Sequence, residues 1–306
     1  MKEISFTSPI SDLKLSEIGI EAFDGCSSLT AFISPSSLKQ IRGSAFRSCT
    51  SLSSFGFSQN SELELIGKSS FSNCIKLTKF DLPSSVKRIG ESAFDSCENL
   101  GEVTIHEDSE LQFIGGFVFS KTPLKKLFIP SKVSQIEEGF GFNANNLTEI
   151  DLSKANSTYS LIGDLLITKN EDGVVVVFAR KNIENSEVPP EVKRIGKYAF
   201  SNCSEMKTIS LRLSDKCQLE IIDDFAFAYC TSMTNVIIPN TVKKIGKSSF
   251  SYCKNLESAT FEEPPTIEEL EFNSFEECPN LKNFEKPASL MRLSKNISDF
   301  FDINPK

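Results

Sequence analysis

The nine cysteines are the residues of this chain whose side chains could do the most varied chemistry, because a thiol can form a disulfide, bind a metal or act as a nucleophile. Cys217 stands alone, and the other eight recur at one repeated position: Cys26, Cys49, Cys74, Cys97, Cys203, Cys230, Cys253 and Cys278. In a secreted protein, neighbours such as Cys26 and Cys49 could pair as disulfides. In a reducing compartment the same residues would form a buried column of thiols. The N-terminus lacks an apolar stretch of signal-peptide length, which favours the reduced column.

Metal binding and catalysis are both disfavoured by the residues around this column. The chain has no C-x-x-C pair, and its single histidine, His106, lies outside the column, which argues against a zinc site. One histidine leaves no Ser-His or Cys-His arrangement, and no Walker A, G-x-G-x-x-G or H-E-x-x-H pattern occurs. We therefore expect a protein that is not an enzyme and needs neither a cofactor nor a metal.

The cysteines belong to a phrase that recurs ten times, clearest as V-K-R-I-G-E-S-A-F-D-S-C over residues 86–97. Adjacent copies are spaced by 22 to 27 residues, except for one gap of 59. A phenylalanine precedes the cysteine position in nine copies, and Gly141 replaces it in the sixth. The fifth copy has Thr122 for cysteine and lacks one residue, which places Leu124 early. Such a period predicts stacked units that bury their apolar faces against each other.

Strands are predicted where each copy alternates apolar and polar residues, as in L-T-K-F-D-L over 77–82, followed by Pro83. Proline ends such a strand because it cannot donate to a ladder. Since each position faces copies of itself, the phenylalanines are expected to stack as offset rings.

The segment from Leu77 to Cys97 resembles the signature of the BspA-like leucine-rich repeat family, and the resemblance covers about residues 15–287. It implies an α/β-type repeat solenoid, a leucine-rich repeat arc with a concave parallel β-sheet, made of about ten repeats and interrupted by a β-hairpin island. It also implies protein binding or adhesion.

The predicted organisation has five segments. They are an N-terminal cap (1–14), repeats 1–6 (15–152), a β-hairpin island (153–191), repeats 7–10 (192–287) and a C-terminal cap or tail (288–306). The island contains two β-rich runs, 161–168 and 174–178, around an Asp172-Gly173 turn. It would either cap the gap between the repeats or offer a strand for self-association through the 161–178 hairpin.

Composition limits the partners and the compartment. The 306 residues carry 33 basic and 41 acidic side chains, a net charge of −8 without a basic stripe, which disfavours nucleic acid. No run reaches the length of a membrane span. We therefore predict a cytoplasmic protein. The alternative is the cell surface, where the sequons at Asn146, Asn156, Asn202 and Asn296 would matter.

Large apolar residues stand out at three outward positions of the predicted concave strands, which are otherwise small or polar. These are Ile33, Phe128 and Ile237. Exposed apolar anchors are the usual hot spots of protein interfaces, so these residues are candidate partner-binding residues.

A short N-terminal motif suggests a specific partner. Residues 2–6, K-E-I-S-F, are similar to the docking peptides of regulatory subunits of type-1 protein phosphatase. Lys2 would then meet acidic groups on the phosphatase, and Ile4 and Phe6 would fill its pockets. In the other interpretation, residues 2–7 are simply the first strand, which caps the solenoid.

The sequence thus predicts a non-catalytic, protein-binding leucine-rich repeat scaffold. Its leading form is a regulator or inhibitor that docks the catalytic subunit of a type-1 phosphatase through Lys2, Ile4 and Phe6. The alternative is a BspA-like surface antigen or adhesin that binds a host or matrix protein.

Overall fold

The computed structural model describes residues 3–4, 14–271 and 273–284 of the chain. Residue contacts divide the chain into two units, the first within residues 1–168 and 178–182 and the second within 169–177 and 183–306. Both are built of parallel β-solenoid turns, which confirms the predicted repeat solenoid. The described residues include no helix, so the helical limb implied by an α/β-type repeat is replaced by a two-residue strand in most turns.

The first unit alternates longer and shorter strands along the chain. Odd-numbered strands from β3 to β13 have three or four residues each, whereas β1 and the even-numbered strands from β2 to β12 have two residues each. In chain order they are β1 (Glu3–Ile4), β2 (Glu17–Ile18), β3 (Ala31–Ser34), β4 (Gln40–Ile41), β5 (Ser54–Phe57), β6 (Leu65–Ile66), β7 (Lys79–Asp81), β8 (Arg88–Ile89), β9 (Glu102–Thr104), β10 (Phe113–Ile114), β11 (Lys126–Ile129), β12 (Gln135–Ile136), β13 (Glu149–Leu152), β14 (Tyr159–Ile162) and β15 (Leu165–Asn170).

In the second unit longer odd-numbered and shorter even-numbered strands alternate from β19 to β24. Its strands are β16 (Gly173–Ala179), β17 (Asn185–Glu187), β18 (Val192–Ile195), β19 (Thr208–Ser210), β20 (Ile221–Ile222), β21 (Asn235–Ile238), β22 (Lys244–Ile245), β23 (Ser258–Phe261), β24 (Glu269–Leu270) and β25 (Asn283–Phe284). The strands β16, β18, β20, β22 and β24 follow one another in one sheet, and β21, β23 and β25 in another.

In-register pairing places identical repeat positions side by side. In the first unit the six even strands form one parallel sheet, and the register aligns Ile18 with Ile41, and Ile41 with Ile66. Along the longer strands alternate residues point inward, as Phe32, Phe55 and Phe80 do. We call the outward side of these strands the long-strand face of each unit.

The segment between the short and the long strand of each repeat forms a third hydrogen-bonded ladder. In the second repeat Ser44, Phe46 and Ser48 donate their N–H groups to carbonyls of the next turn at 2.8 Å. The residues between them donate within their own turn, as Ala45 does to Arg42. This alternation needs a positive φ at two positions per turn, and Ser44 (56°) and Ser48 (58°) have it. Serine and asparagine dominate these positions, which is consistent with short polar side chains tolerating that conformation best.

Phenylalanine rings fill the interior, as the sequence predicts. In the first unit Phe46 stacks on Phe71 at 5.4 Å between ring centroids, and Phe71 on Phe94 at 5.5 Å. A second column from the long strands packs edge-on between these rings, with Phe80 at 5.1 Å from Phe71. In the second unit Phe227 stacks on Phe250 at 5.0 Å.

The island differs in one respect from its predicted form. Residues 161–168 are not a single strand, because Gly163, with φ of 56°, and Asp164 form a turn that separates β14 from β15. The two strands pair antiparallel, with Leu161 opposite Leu166. The turn predicted near Asp172 is present at Glu171–Asp172.

Candidate protein-binding faces

The long-strand face of the first unit is charged in its middle. Lys126 Nζ lies 2.6 Å from Asp151 Oδ2, and its hydrogen bond to that carboxylate raises the pKa of Lys126. His106 Nε2 also lies close to a carboxylate, 3.1 Å from Asp81 Oδ1. All of these side chains are about half exposed or more. Exposed ion pairs contribute little to stability, so these groups can exchange partners at low cost.

Ile33 is an exposed apolar residue at the beginning of this face. Its side chain is 49% exposed, although its neighbours along the strand, Phe32 and Ser34, are buried. Its register partner on the next strand is Gly56, which has no side chain to cover it. The predicted exposure of Ile33 is therefore confirmed.

Phe128 is less exposed than the sequence predicts. It occupies an outward position of β11 and pairs in register with Asp151, but its ring is only partly accessible. A large aromatic ring on a strand that has neighbours on both sides can pack against the side chains of those neighbours. Such packing keeps much of the area of the ring from solvent. As an interface anchor it offers less area than the alternation of the sequence suggests.

The long-strand face of the second unit has a different character. Its first outward column consists of uncharged amide and hydroxyl side chains, namely Asn185, Thr208, Asn235, Ser258 and Asn283. Thr208 Oγ1 donates to Asn185 Oδ1 at 2.6 Å. In the second column Ile237 is 58% exposed, which confirms the prediction. An apolar side chain with a neutral polar rim is a common centre for a protein contact.

The N-terminal motif is described only in part. Lys2 and Phe6 lie outside the described residues, and for Ile4 only the backbone is described. Glu3 and Ile4 form β1, which pairs in parallel with Ala31 and Phe32 of β3. This pairing is what the capping-strand interpretation expects.

Further exposed apolar residues do not follow from the alternation of the strands. Ile20 is 74% exposed in a turn, and Leu213 lies in a loop. Tyr229 and Tyr252 stack at 4.7 Å on the turn ladder of the second unit. The exposure of the two tyrosines could have been predicted from the repeat alignment, because they stand where other repeats have serine or asparagine.

The cysteines are all free thiols in the structure, including the Cys26–Cys49 pair considered from the sequence. Within the described residues no three His, Cys, Asp or Glu side chains are arranged to hold a metal ion. The same residues include no helix long and apolar enough to cross a membrane.

Asn156, one of the sequon asparagines, is held by hydrogen bonds. Its Nδ2 donates to Pro130 O at 2.8 Å, and its Oδ1 accepts from Tyr159 N at 2.8 Å.

Comparison with known families and structures gives a consistent result. The model of the BspA-type leucine-rich repeat region matches residues 16–148 and 176–301, with six copies. No curated protein matches the sequence significantly.

Three solved structures share the fold. A leucine-rich cell surface protein from Faecalibacterium prausnitzii is 23% identical, with 88% of this chain and 76% of that chain covered and a TM-score of 0.65. The pneumococcal vaccine antigen PcpA is 24% identical, with coverage of 80% and 67% and a TM-score of 0.66. A leucine-rich repeat protein from Eubacterium ventriosum is 20% identical, with coverage of 83% and 71% and a TM-score of 0.61.

Proposed function

Since the chain belongs to the BspA-type leucine-rich repeat family, we propose that it is a cell-surface scaffold whose long-strand faces bind a protein of a host or of the extracellular matrix. The observation that carries the proposal is the exposure of Ile33 and Ile237 at outward strand positions, each in an otherwise polar setting. The structural relatives described as a cell surface protein and a vaccine antigen support the location.

The two faces suit protein partners of different chemistry. The first unit has exposed charged side chains, among them Lys126, Asp151 and Asp81, whose ion pairs can be exchanged for ion pairs with a partner. This would favour a partner with complementary charge. The second unit offers Ile237 within neutral amides and hydroxyls, which can form hydrogen bonds without the desolvation cost of charges. Binding through the first face should weaken with added salt, and binding through the second should not.

Substitution at the two anchors tests the proposal. Labelled protein is applied to immobilised matrix proteins and to intact epithelial cells, as wild type, Ile33→Asp and Ile237→Asp. Losing a hot-spot contact should weaken binding by at least about 30-fold in one of the two variants. Ile20→Asp is the matched control, because Ile20 is more exposed than either anchor but lies in a turn outside the face. Equal binding by all four proteins would refute the assignment to the long-strand faces.

The location has its own test. Antibody labelling and protease treatment of intact source cells should reach the protein if it lies at the surface. Labelling that appears only after the cells are lysed would contradict the location and restore the cytoplasmic prediction.

Docking of a type-1 phosphatase through Lys2, Ile4 and Phe6 is not part of this proposal. Neither the family nor the structural relatives support it, and the backbone of Ile4 is already paired with Phe32. Binding of the purified catalytic subunit to wild type, but not to an Ile4→Ala/Phe6→Ala variant, would reinstate it.

A further inference from the structure

A regular inter-repeat hydrogen bond closes the turn that follows the cysteine column. Two residues after the cysteine, Asn99 donates its Nδ2 to the carbonyl of Ile75 in the preceding repeat at 2.6 Å. In the tenth repeat Asn280 makes the same bond to Lys254, at 2.8 Å. An asparagine at this position can therefore use its side-chain amide to join two neighbouring turns, although Asn255, which follows a repeat of regular length, makes no such bond to a described residue.

Asn146, in the repeat that follows the shortened fifth repeat, does not make this bond either. Asn146 stands two residues after Ala144, the position equivalent to that of Asn99 and Asn280. The preceding turn, Thr122-Pro123-Leu124, is one residue shorter than its counterparts, so the usual carbonyl is displaced. Within the described part of the chain, the Asn146 side chain has no hydrogen-bond partner, and it is exposed.

A cleft of about 440 Å³ lies where the residue is missing. This volume is in the range of small-molecule sites. Its lining comes from three consecutive repeats, with Pro123 as the one apolar ring and six polar residues: Glu98, Lys121, Thr122, Asn143, Asn145 and Asn146. The Thr122 hydroxyl donates to Phe119 O, but none of the other five polar side chains is engaged in a hydrogen bond or ion pair with another described residue, so their donors and acceptors are available to a ligand.

The two charges of this lining balance, so the cleft has little net attraction for a simple anion or cation. Glu98 would repel an anion, Lys121 would repel a cation, and together they leave the cleft without net charge. Each asparagine amide presents donors beside an acceptor, which matches neighbouring hydroxyl groups that both donate and accept. The ring of Pro123 can contact the C–H groups of the same ligand.

We propose that this cleft binds a neutral sugar unit, such as a terminal hexose or N-acetylhexosamine of a glycan. The Asn146 amide, which makes no hydrogen bond to a described residue, is the central contact. The site lies in the turns after the cysteine column, outside the long-strand faces, and does not depend on the function proposed for them.

Saturation-transfer NMR with the full chain tests this proposal, using glucose, galactose, mannose and N-acetylglucosamine as separate millimolar probes. At least one sugar should receive saturation, and Asn146→Ala should weaken its affinity by roughly tenfold, since the amide provides direct hydrogen bonds. Asn280→Ala is the matched control, because it removes the equivalent asparagine from a regular turn, and it should bind as wild type. Side-chain amide signals of Asn145 and Asn146 should shift during the titration.

Three results would overturn the proposal. They are absence of transfer to all four sugars, equal affinity of Asn146→Ala and wild type, and loss of binding in both Asn146→Ala and Asn280→Ala. Thermal melts of both variants establish that they are folded before binding is compared.

Discussion

Six buried thiols of the cysteine column join two turns each, those of Cys49, Cys74, Cys97, Cys230, Cys253 and Cys278. The carbonyl of Phe46 accepts the N–H of Cys49 at 3.2 Å and the thiol of Cys74, from the next repeat, also at 3.2 Å. Where Ala144 replaces the next cysteine, Thr122 Oγ1 donates to the carbonyl of its own repeat, that of Phe119, at 2.7 Å. The column is therefore structural, and its thiols satisfy carbonyls that would otherwise lack a second donor.

These thiols should resist chemical modification while the protein is folded. Burial raises the pKa of Cys49 and Cys97 to about 12, and a thiol with that pKa has about a thousandfold less thiolate at pH 8 than an ordinary thiol. We expect a disulfide reagent such as DTNB to react readily with the half-buried Cys26 and very slowly with the others. Unfolding in concentrated guanidinium should release all nine.

Fewer than nine thiols after unfolding would contradict this prediction and indicate disulfides between repeats. Nine thiols, however, do not exclude the cell surface. The thiolate is the species that oxidises, and the raised pKa of Cys49 and Cys97 leaves little thiolate at neutral pH. A reduced column is thus compatible with the proposed location, whereas the sequence alone linked it to the cytoplasm.

At the scale of the repeat, neighbouring turns approach closely at five of the glycines that follow the central isoleucine, whereas other repeats have Arg42, Glu137, Asp223 or Glu271 at this position. A Cβ at Gly90 would lie 2.6 Å from the backbone nitrogen of Lys68 in the preceding turn, and backbone atoms cannot yield as a side chain can. We expect Gly90→Ala to reduce the free energy of unfolding by about 1–3 kcal/mol. Gly101→Ala is the control, because nothing lies within 4 Å of that position. Urea titrations compare the two, and equal midpoints would refute the packing argument.

The island supplies an aromatic ring to the core at the position where the sixth repeat lacks its phenylalanine. Phe178 is buried against Phe140 at 5.1 Å, and one of its ring atoms lies 2.5 Å from where a Cβ on Gly141 would stand. We expect Phe178→Ala to cost about 3–5 kcal/mol of unfolding free energy. Gly141→Phe should also destabilise the wild type, by steric overlap.

Combining the two substitutions provides the decisive comparison. The double variant Gly141→Phe/Phe178→Ala returns the ring to its repeat position and should be more stable than either single variant. Additive losses in the double variant would show that Phe178 does not replace the missing ring.

Much of this element-level structure could be predicted from the sequence, and the reasons for the misses are physical. The strands and the stacking of Phe46, Phe71 and Phe94 follow from a period that brings each position against itself. The position of the Phe178 ring beside Gly141, where the other repeats have their own phenylalanine, could not be predicted. The two residues come from different parts of the chain, and the repeat period does not relate them. The partial burial of Phe128 could not be predicted either. Alternation gives the side of the strand on which a side chain lies, but not the orientation of its ring or the area that the ring exposes.

The candidate site was predictable to a similar depth. The outward positions of Ile33 and Ile237 follow from alternation, and both are exposed. The deletion before Leu124 is visible in the repeat alignment, but the cleft beside Asn146 is not. A missing residue shortens one turn, and only the placement of its neighbours shows that the space stays open.

For the whole molecule, stability is the sum of contacts between successive repeats, since each turn touches only its neighbours. A local defect should therefore be felt mainly by the repeats around it and by the unit that contains it. Gly246 lies in the second unit, and a Cβ there would come within 2.5 Å of Asp224 N in the preceding turn. Gly90 gives the corresponding defect in the first unit.

Hydrogen exchange of the two variants can therefore map how far a defect spreads. We expect Gly246→Ala to raise amide exchange in peptides within residues 183–284 and to leave peptides within residues 14–168 near wild type, because exchange follows local opening. Gly90→Ala should give the reverse pattern. Mass spectrometry of peptic fragments after timed labelling measures both, with Gly101→Ala as the silent control. A uniform rise in both ranges for either variant would instead mean that the repeats open as one cooperative body.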